Sequence, residues 1–209
     1  MAFRRMVGAS VLAAGFVVFV GVARAEEEAK RPAGQPSQEE MMQAWAQMNQ
    51  LGPQHAEFKN AVGKWKHTSK FWMQPGEPTV AEGTSVMTLE LGGRYLREEY
   101  TCGMFGMPFK GVSLTGYDTM TKKYVSIWYD NMSTGIMRME GEADPETKVV
   151  TLYSAEYEDP FKGKGKMKST LKHVSDDEVA MEMFWIGADG NEHKEMEIHY
   201  TRVKPGEEG

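Results

Sequence analysis

The chain has 209 residues, of which 24 are basic and 30 acidic, with a formal charge of −6, a single cysteine and 17 methionines. One cysteine excludes an internal disulfide, and the acidic balance argues against nucleic acid or an anionic lipid surface as partner, because phosphate recognition needs clustered Lys and Arg. Residues 1–25 are expected to be a secretory signal peptide. Arg4-Arg5 stand near the start, 17 uncharged residues run from Val7 to Ala23, and Ala23-Arg24-Ala25 puts small residues at the two positions a signal peptidase reads. Cleavage removes three of the 24 basic residues and none of the acidic ones, leaving 184 residues at −9. That length suits one domain with a hydrophobic core. An uncleaved anchor is the alternative, since 17 residues is at the lower limit for a bilayer span. No cysteine follows directly on the cleavage point, which disfavours a lipoprotein. The expected location is periplasmic or secreted, with no membrane span left after cleavage.

Residues 26–36 are charged and interrupted by Pro32, Gly34 and Pro36, and read as a disordered spacer. A helical lead-in is expected over 37–62. Ser37 precedes Glu40 by three residues, the pattern of a capping box, and Met41, Ala44, Trp45, Met48 and Leu51 follow at helical spacing until Gly52-Pro53. A second short helix is expected from Gln54 to Val62, with Gly63 just past its end.

From Gly63 the hydrophobic period becomes two. Turn residues recur at Pro75-Gly76, Gly92-Gly93, Gly103 to Pro108, Asp118 to Thr121 and Asn131 to Thr134. They continue at Asp144-Pro145, Asp159-Pro160, Ser175 to Asp177 and Asp189-Gly190. About ten short strands separated by short connections predict an all-β, antiparallel, up-and-down barrel over 63–204, whose closure removes the sheet edges. Residues 205–209 are expected to be a disordered tail. Parity places Trp65, His67, Ser69 and Phe71 on one face of the first strand and Met196, Ile198, Tyr200 and Arg202 on one face of the last. Lys162, Lys164, Lys166 and Lys168 alternate with Gly163, Gly165, Met167 and Ser169 and read as a solvated strand face. Asp118-x-x-Thr121-Lys122 and Asp144-x-x-Thr147-Lys148 read as the same turn used twice.

Gly63-Lys64-Trp65 at the start of the first strand, with Arg202 near the end of the last, resembles the lipocalin-like (calycin) barrels. That resemblance implies a Trp packed at the closed end under an Arg; an indole offers large buried area and a guanidinium can lie flat upon it. A longer series runs through His55, Leu91-Gly92-Gly93-Arg94-Tyr95-Leu96, Pro108-Phe109-Lys110-Gly111 and Gly116-Tyr117-Asp118. It continues with Thr121-Lys122-Lys123-Tyr124, Trp128-x-Asp130 and Tyr200-Thr201-Arg202. Over about residues 53–204 this is similar to a family of exported bacterial proteins of unknown function, which implies a lipocalin-like barrel and no established activity.

No motif of a hydrolase, zinc protease, P-loop or dinucleotide site is present. The candidate ligand contacts are His67, Arg94, Tyr100, Tyr117, Tyr124, Trp128, Asp130 and His173, a mixture of apolar and orienting polar groups suited to a cavity; Trp65 and Arg202 are expected to close the barrel. The leading expectation is a binding protein for a small apolar or amphipathic molecule. One alternative is an enzyme with His67 as acid or base, assisted by Tyr117 or Asp130. Another is an assembly protein that docks through the helix at 37–51, and a homo-oligomer is compatible with each. No cofactor is expected. Haem is a minor alternative, with His67 and His173 facing inward and His199 outward. Cu(I) is another, from the soft donors Cys102, Met104 and Met107. Intact mass of the exported protein is expected to correspond to a chain beginning at Glu26; the mass of all 209 residues would instead show an uncleaved anchor.

Overall fold

A computed structural model describes residues 34–104, 106–204 and 206. The expected signal peptide and most of the expected spacer and tail lie outside the described residues. The chain divides into two units between Gln50 and Leu51, each considered by itself. In the first, helix α1 spans Gln38–Met48, and its capping box forms as the spacing requires. Ser37 Oγ accepts from Glu40 N at 3.0 Å, and Glu40 Oε2 accepts from Ser37 N at 2.6 Å. These bonds satisfy backbone N–H groups that the first turn leaves without intrahelical partners. No residue of α1 is buried.

In the second unit, helix α2 spans Pro53–Ala61, with Val62 as its C-cap. Pro53 starts it without losing a hydrogen bond, since the first N–H of a helix has no intrahelical partner. His55 Nδ1 accepts from Gly52 N at 3.1 Å, so the imidazole satisfies the N–H of the N-cap residue itself. Gly63 follows at φ 136°, a left-handed-side conformation that turns the chain from helix into strand.

Eleven strand segments follow. They are β1 (Gly63–Phe71), β2 (Thr79–Glu90), β3 (Tyr95–Met104), β4 (Met107–Asp118), β5 (Lys123–Asp130), β6 (Met137–Ala143), β7 (Val150–Ser154), β8 (Tyr157–Asp159), β9 (Gly163–Ser175), β10 (Glu178–Gly187) and β11 (Glu192–Arg202). Neighbours in sequence pair antiparallel except β7 and β8, β11 returns to β1, and β9 pairs with β10. β7 and β8 share one edge of β9: Val150–Tyr153 pair with Leu171–Lys168, and Tyr157–Asp159 with Gly165–Gly163. Eleven segments thus fill ten positions of a closed up-and-down barrel. Closure gives every strand but the short β8 two partners and leaves no long unpaired edge.

Turn chemistry fixes the connections. Asp118 Oδ1 accepts from the N–H groups of Met120 and Thr121, and Asp144 Oδ1 from those of Glu146 and Thr147. Lys122 and Lys148 follow at φ 58° and 60°, so the two sequence repeats form the same turn. The expected loop from Gly103 to Pro108 is shorter than its composition suggests. The ladder continues through Gly103↔Pro108 and Met104↔Met107, and Gly106 at φ 76° helps to reverse the chain.

Strand parity agrees with the pattern. Trp65, His67 and Ser69 are buried on β1, as are Ile198 and Tyr200 on β11. Lys164 and Lys168 of β9 point outward and pair with Glu156 and Glu192, whereas Lys162, just before the strand, pairs with Glu195 at one end of the interior. Several positions of the barrel wall leave no room for a Cβ, and two of them lie against an indole. A Cβ on Gly111 would lie 2.1 Å from the Trp128 ring, and one on Gly165 2.4 Å from the Trp185 ring. Each indole thus covers the neighbouring strand at a position that carries no side chain.

Trp65 is 1% exposed and donates from Nε1 to the Ala61 carbonyl at 2.9 Å. The Arg202 guanidinium lies 4.1 Å from the ring centroid. It donates to Val62 O at 2.8 Å, to Asn60 O, and to Asp176 O at 3.0 and 3.1 Å. One side chain therefore joins the last strand, the C-terminal carbonyls of α2 and the β9–β10 turn above the first strand. Trp65→Ala is expected to destabilise the barrel by about 3–5 kcal/mol in denaturant titration. A loss below about 1 kcal/mol, the level of an ordinary surface substitution, would show that the indole does not close it.

Candidate ligand-binding cavity

Ten strands make a wider barrel than the roughly eight whose interior side chains can fill. The interior encloses a cavity of about 980 Å3. At one end it is bordered by Gln54 and Glu57 of α2 and by the β6–β7 turn at Asp144, Pro145 and Lys148. At the other it reaches Trp72, Met73, Lys162 and Glu195. Nine of the 17 methionines line it. Met139, Met167 and Met183 form one buried cluster with Trp185, against which Met137, Met181 and Met196 pack. This wall is soft and adaptable, because methionine is unbranched and polarizable. The opposite wall carries Tyr100, Phe109 and Trp128, with Tyr100 in edge contact with both partners at 5.8–5.9 Å.

The structure brings five of the eight candidate contacts to this cavity: Tyr100, Tyr117, Tyr124, Trp128 and His173. Tyr117 and Tyr124 stand at the α2 end, their rings 5.1 Å apart, and the Tyr124 hydroxyl donates to Glu57 at 3.3 Å. His173 stands at the same end, where desolvation holds its pKa below the ordinary value.

The other three lie elsewhere. Arg94 is exposed in the β2–β3 turn and donates to Leu91 O at 3.2 Å. Asp130 caps the β5–β6 turn through the N–H groups of Met132 and Ser133, and accepts from Trp128 Nε1 at 3.0 Å. His67 is buried behind the wall, stacked on Tyr100 at 4.1 Å between ring centroids. Its Nδ1 lies 3.2 Å from Ser69 Oγ, which lies 2.8 Å from the Tyr100 hydroxyl. His67 thus fixes the back of a wall residue and does not face the cavity. Of the soft donors, Cys102 is in the buried core, Met104 lines the cavity and Met107 is 53% exposed. His199 is exposed on the outer face beside Glu197.

Sequence reasoning missed Glu98. It shares the inward face of β3 with Leu96 and Tyr100, and lines the cavity. Ser85 donates to its Oε1 at 2.7 Å, Ser113 to its Oε2 at 3.4 Å, and the Tyr200 hydroxyl also bonds to it. Burial pushes its carboxyl above the usual carboxylate range, against the downward pull of those three hydroxyls. Parity with Tyr100 was the available signal. It was masked by the run Arg97-Glu98-Glu99, which looks like a solvated segment.

These features define a class: a hollow antiparallel barrel of lipocalin-like build, closed by a Trp–Arg contact and lined by sulfur and aromatic rings. The chain belongs to the family described as protein of unknown function (DUF1579), whose model matches residues 50–202. Solved structures show the same fold at low identity. Rv2717c from M. tuberculosis is 11% identical, with a TM-score of 0.54 over 74% of this chain and 100% of that one. The S-type phycobiliprotein lyase CPES from Guillardia theta is 8% identical, with a TM-score of 0.50 over 72% of this chain and 92% of that one. No curated protein matches the chain. No helix among the described residues is long and apolar enough to cross a membrane.

Burial lowers the His67 pKa from 6.5 to about 4, and nearby backbone at Thr101 and Thr84 offsets only part of the shift. Its Nε2 makes no hydrogen bond of good geometry. The unfolded chain therefore binds the proton first: the contribution of neutral His67 is complete above pH 6.5 and is lost as pH falls toward about 4. The fall in Tm between pH 7.5 and 4.5 is expected to be smaller in His67→Gln than in the wild type. Parallel pH profiles would show that His67 does not carry this dependence.

Proposed function

We propose that the protein is an exported, periplasmic carrier that holds one small apolar or amphipathic molecule inside the barrel. The observation that carries this reading is the cavity itself. A barrel serving only as a scaffold gains stability by filling its interior, since voids forfeit packing contacts. Here about 980 Å3 is left empty within a mostly apolar lining. That volume is at the upper end of the ~300–1,000 Å3 range of small-molecule sites. The methionine wall suits a ligand of irregular shape. Export rests on the N-terminal pattern of charge, apolar run and small residues.

Native mass spectrometry of protein purified from its own cell envelope is expected to show one bound mass per chain that disappears on denaturation. An uncharged naphthalene fluorophore is expected to bind the emptied barrel at one site with a blue-shifted emission. A bare polypeptide that also leaves the fluorophore in water would overturn the carrier reading.

A further inference from the structure

We propose that Glu98 is the polar anchor of the cavity, and that the molecule held there carries an ammonium group on an apolar body. The inference rests on the carrier reading above and deepens it by assigning the chemistry of the ligand's head. Glu98 projects from the interior of a strand into the cavity. The other carboxylates of the lining stand toward its ends: Glu57 on α2, Glu142 and Asp144 beside the β6–β7 turn, and Glu195 against Lys162. Among the described residues no Lys, Arg or His pairs with Glu98; its partners are the hydroxyls of Ser85, Ser113 and Tyr200.

A buried carboxyl in an apolar wall is costly unless it is paired with a charge or fully hydrogen-bonded. Neutral hydroxyls hold it in place but supply no countercharge. The titratable groups facing this region are the Tyr200 phenol from β11 and the Tyr100 phenol from β3, and burial keeps both in their neutral forms. Nothing in the described wall therefore balances an ionised Glu98, and a ligand cation would. The surroundings favour a cation on other grounds. Tyr100 and Trp128 line the same wall, and aromatic faces attract ammonium groups. An anionic head would meet a carboxyl in the interior and find lysines only at Lys122, Lys148 and Lys162, near the two ends. Three anchoring hydroxyls also fix the direction of the carboxyl, which reduces what must be ordered when the ligand enters.

The test is displacement of the neutral fluorophore N-phenyl-1-naphthylamine from the purified chain at pH 7.5 by dodecylamine, dodecanol and dodecanoate. The three share one apolar body and differ in the head. The amine is expected to displace the fluorophore at least about tenfold more tightly than the alcohol, as a desolvated charge-assisted pair requires. Glu98→Gln is expected to abolish that preference while still binding the fluorophore, which shows that the variant is folded. If Glu98→Gln does not fold, Glu98→Asp, which withdraws the carboxylate by one methylene, is expected to reduce the preference. An undiminished preference in the folded variant overturns the assignment of Glu98, as does tightest binding of dodecanoate by the wild type, with the carrier reading intact in both cases. Failure of the fluorophore and all three compounds to bind overturns the carrier reading itself.

Discussion

The barrel depends on the stacking of Arg202 over Trp65. An antiparallel barrel built from consecutive hairpins must solve one non-local problem, the pairing of its first strand with its last. Here β1 and β11 are joined by a ladder from Trp65↔Arg202 to Phe71↔Met196. Its first rung carries the indole and the guanidinium. The same guanidinium occupies the carbonyls of Asn60 and Val62, which α2 leaves without partners at its C-terminus, so closure of the sheet and docking of the helix are one event. An ammonium could not make this set of contacts, because the geometry uses a planar fork that stacks on one face and donates along its edge.

Closure at that width leaves room inside. Large aromatic rings do part of the filling, with Trp128 and Trp185 covering Gly111 and Gly165. Methionine lines much of what remains. These choices leave a cavity with a deformable wall on one side and a rigid aromatic wall on the other. The rigid wall is held from behind by the buried Ser69 and His67, through contact with the hydroxyl and ring of Tyr100.

Two buried polar sets therefore play different parts. The His67–Ser69–Tyr100 set spends its hydrogen bonds within the wall and orients a ring. The Glu98 set places a carboxyl on the cavity surface and holds it with hydroxyls from three other strands, β2, β4 and β11. The fold relationship to Rv2717c and the phycobiliprotein lyase, at 11% and 8% identity, concerns the barrel and not these side chains.

Much of the architecture was legible in the sequence because its causes are local. Period-two alternation, Asp-initiated turns and the Ser37–Glu40 spacing each act within a few residues, and parity placed Trp65, His67, Tyr200 and Arg202 on the inner face of their strands. The depth of a residue within that face was not local. His67 and Tyr100 both point inward, yet only Tyr100 meets the cavity, because their rings stack and Tyr100 is the one in front. Asp130 and Arg94 carry site-like chemistry but stand where the chain reverses, and the backbone of each turn claims them. Glu98 looked like surface charge beside Arg97 and Glu99, and only the convergence of Ser85, Ser113 and Tyr200 shows it to be interior. Sequence by itself determined the strand pattern and most of the turns, since these follow from alternation and turn chemistry, and the closing pair came from the resemblance to lipocalin-like barrels. Tertiary structure alone decided that the barrel is hollow and which polar groups face the hollow, because both depend on how many strands close the circle and on what stands behind each wall residue.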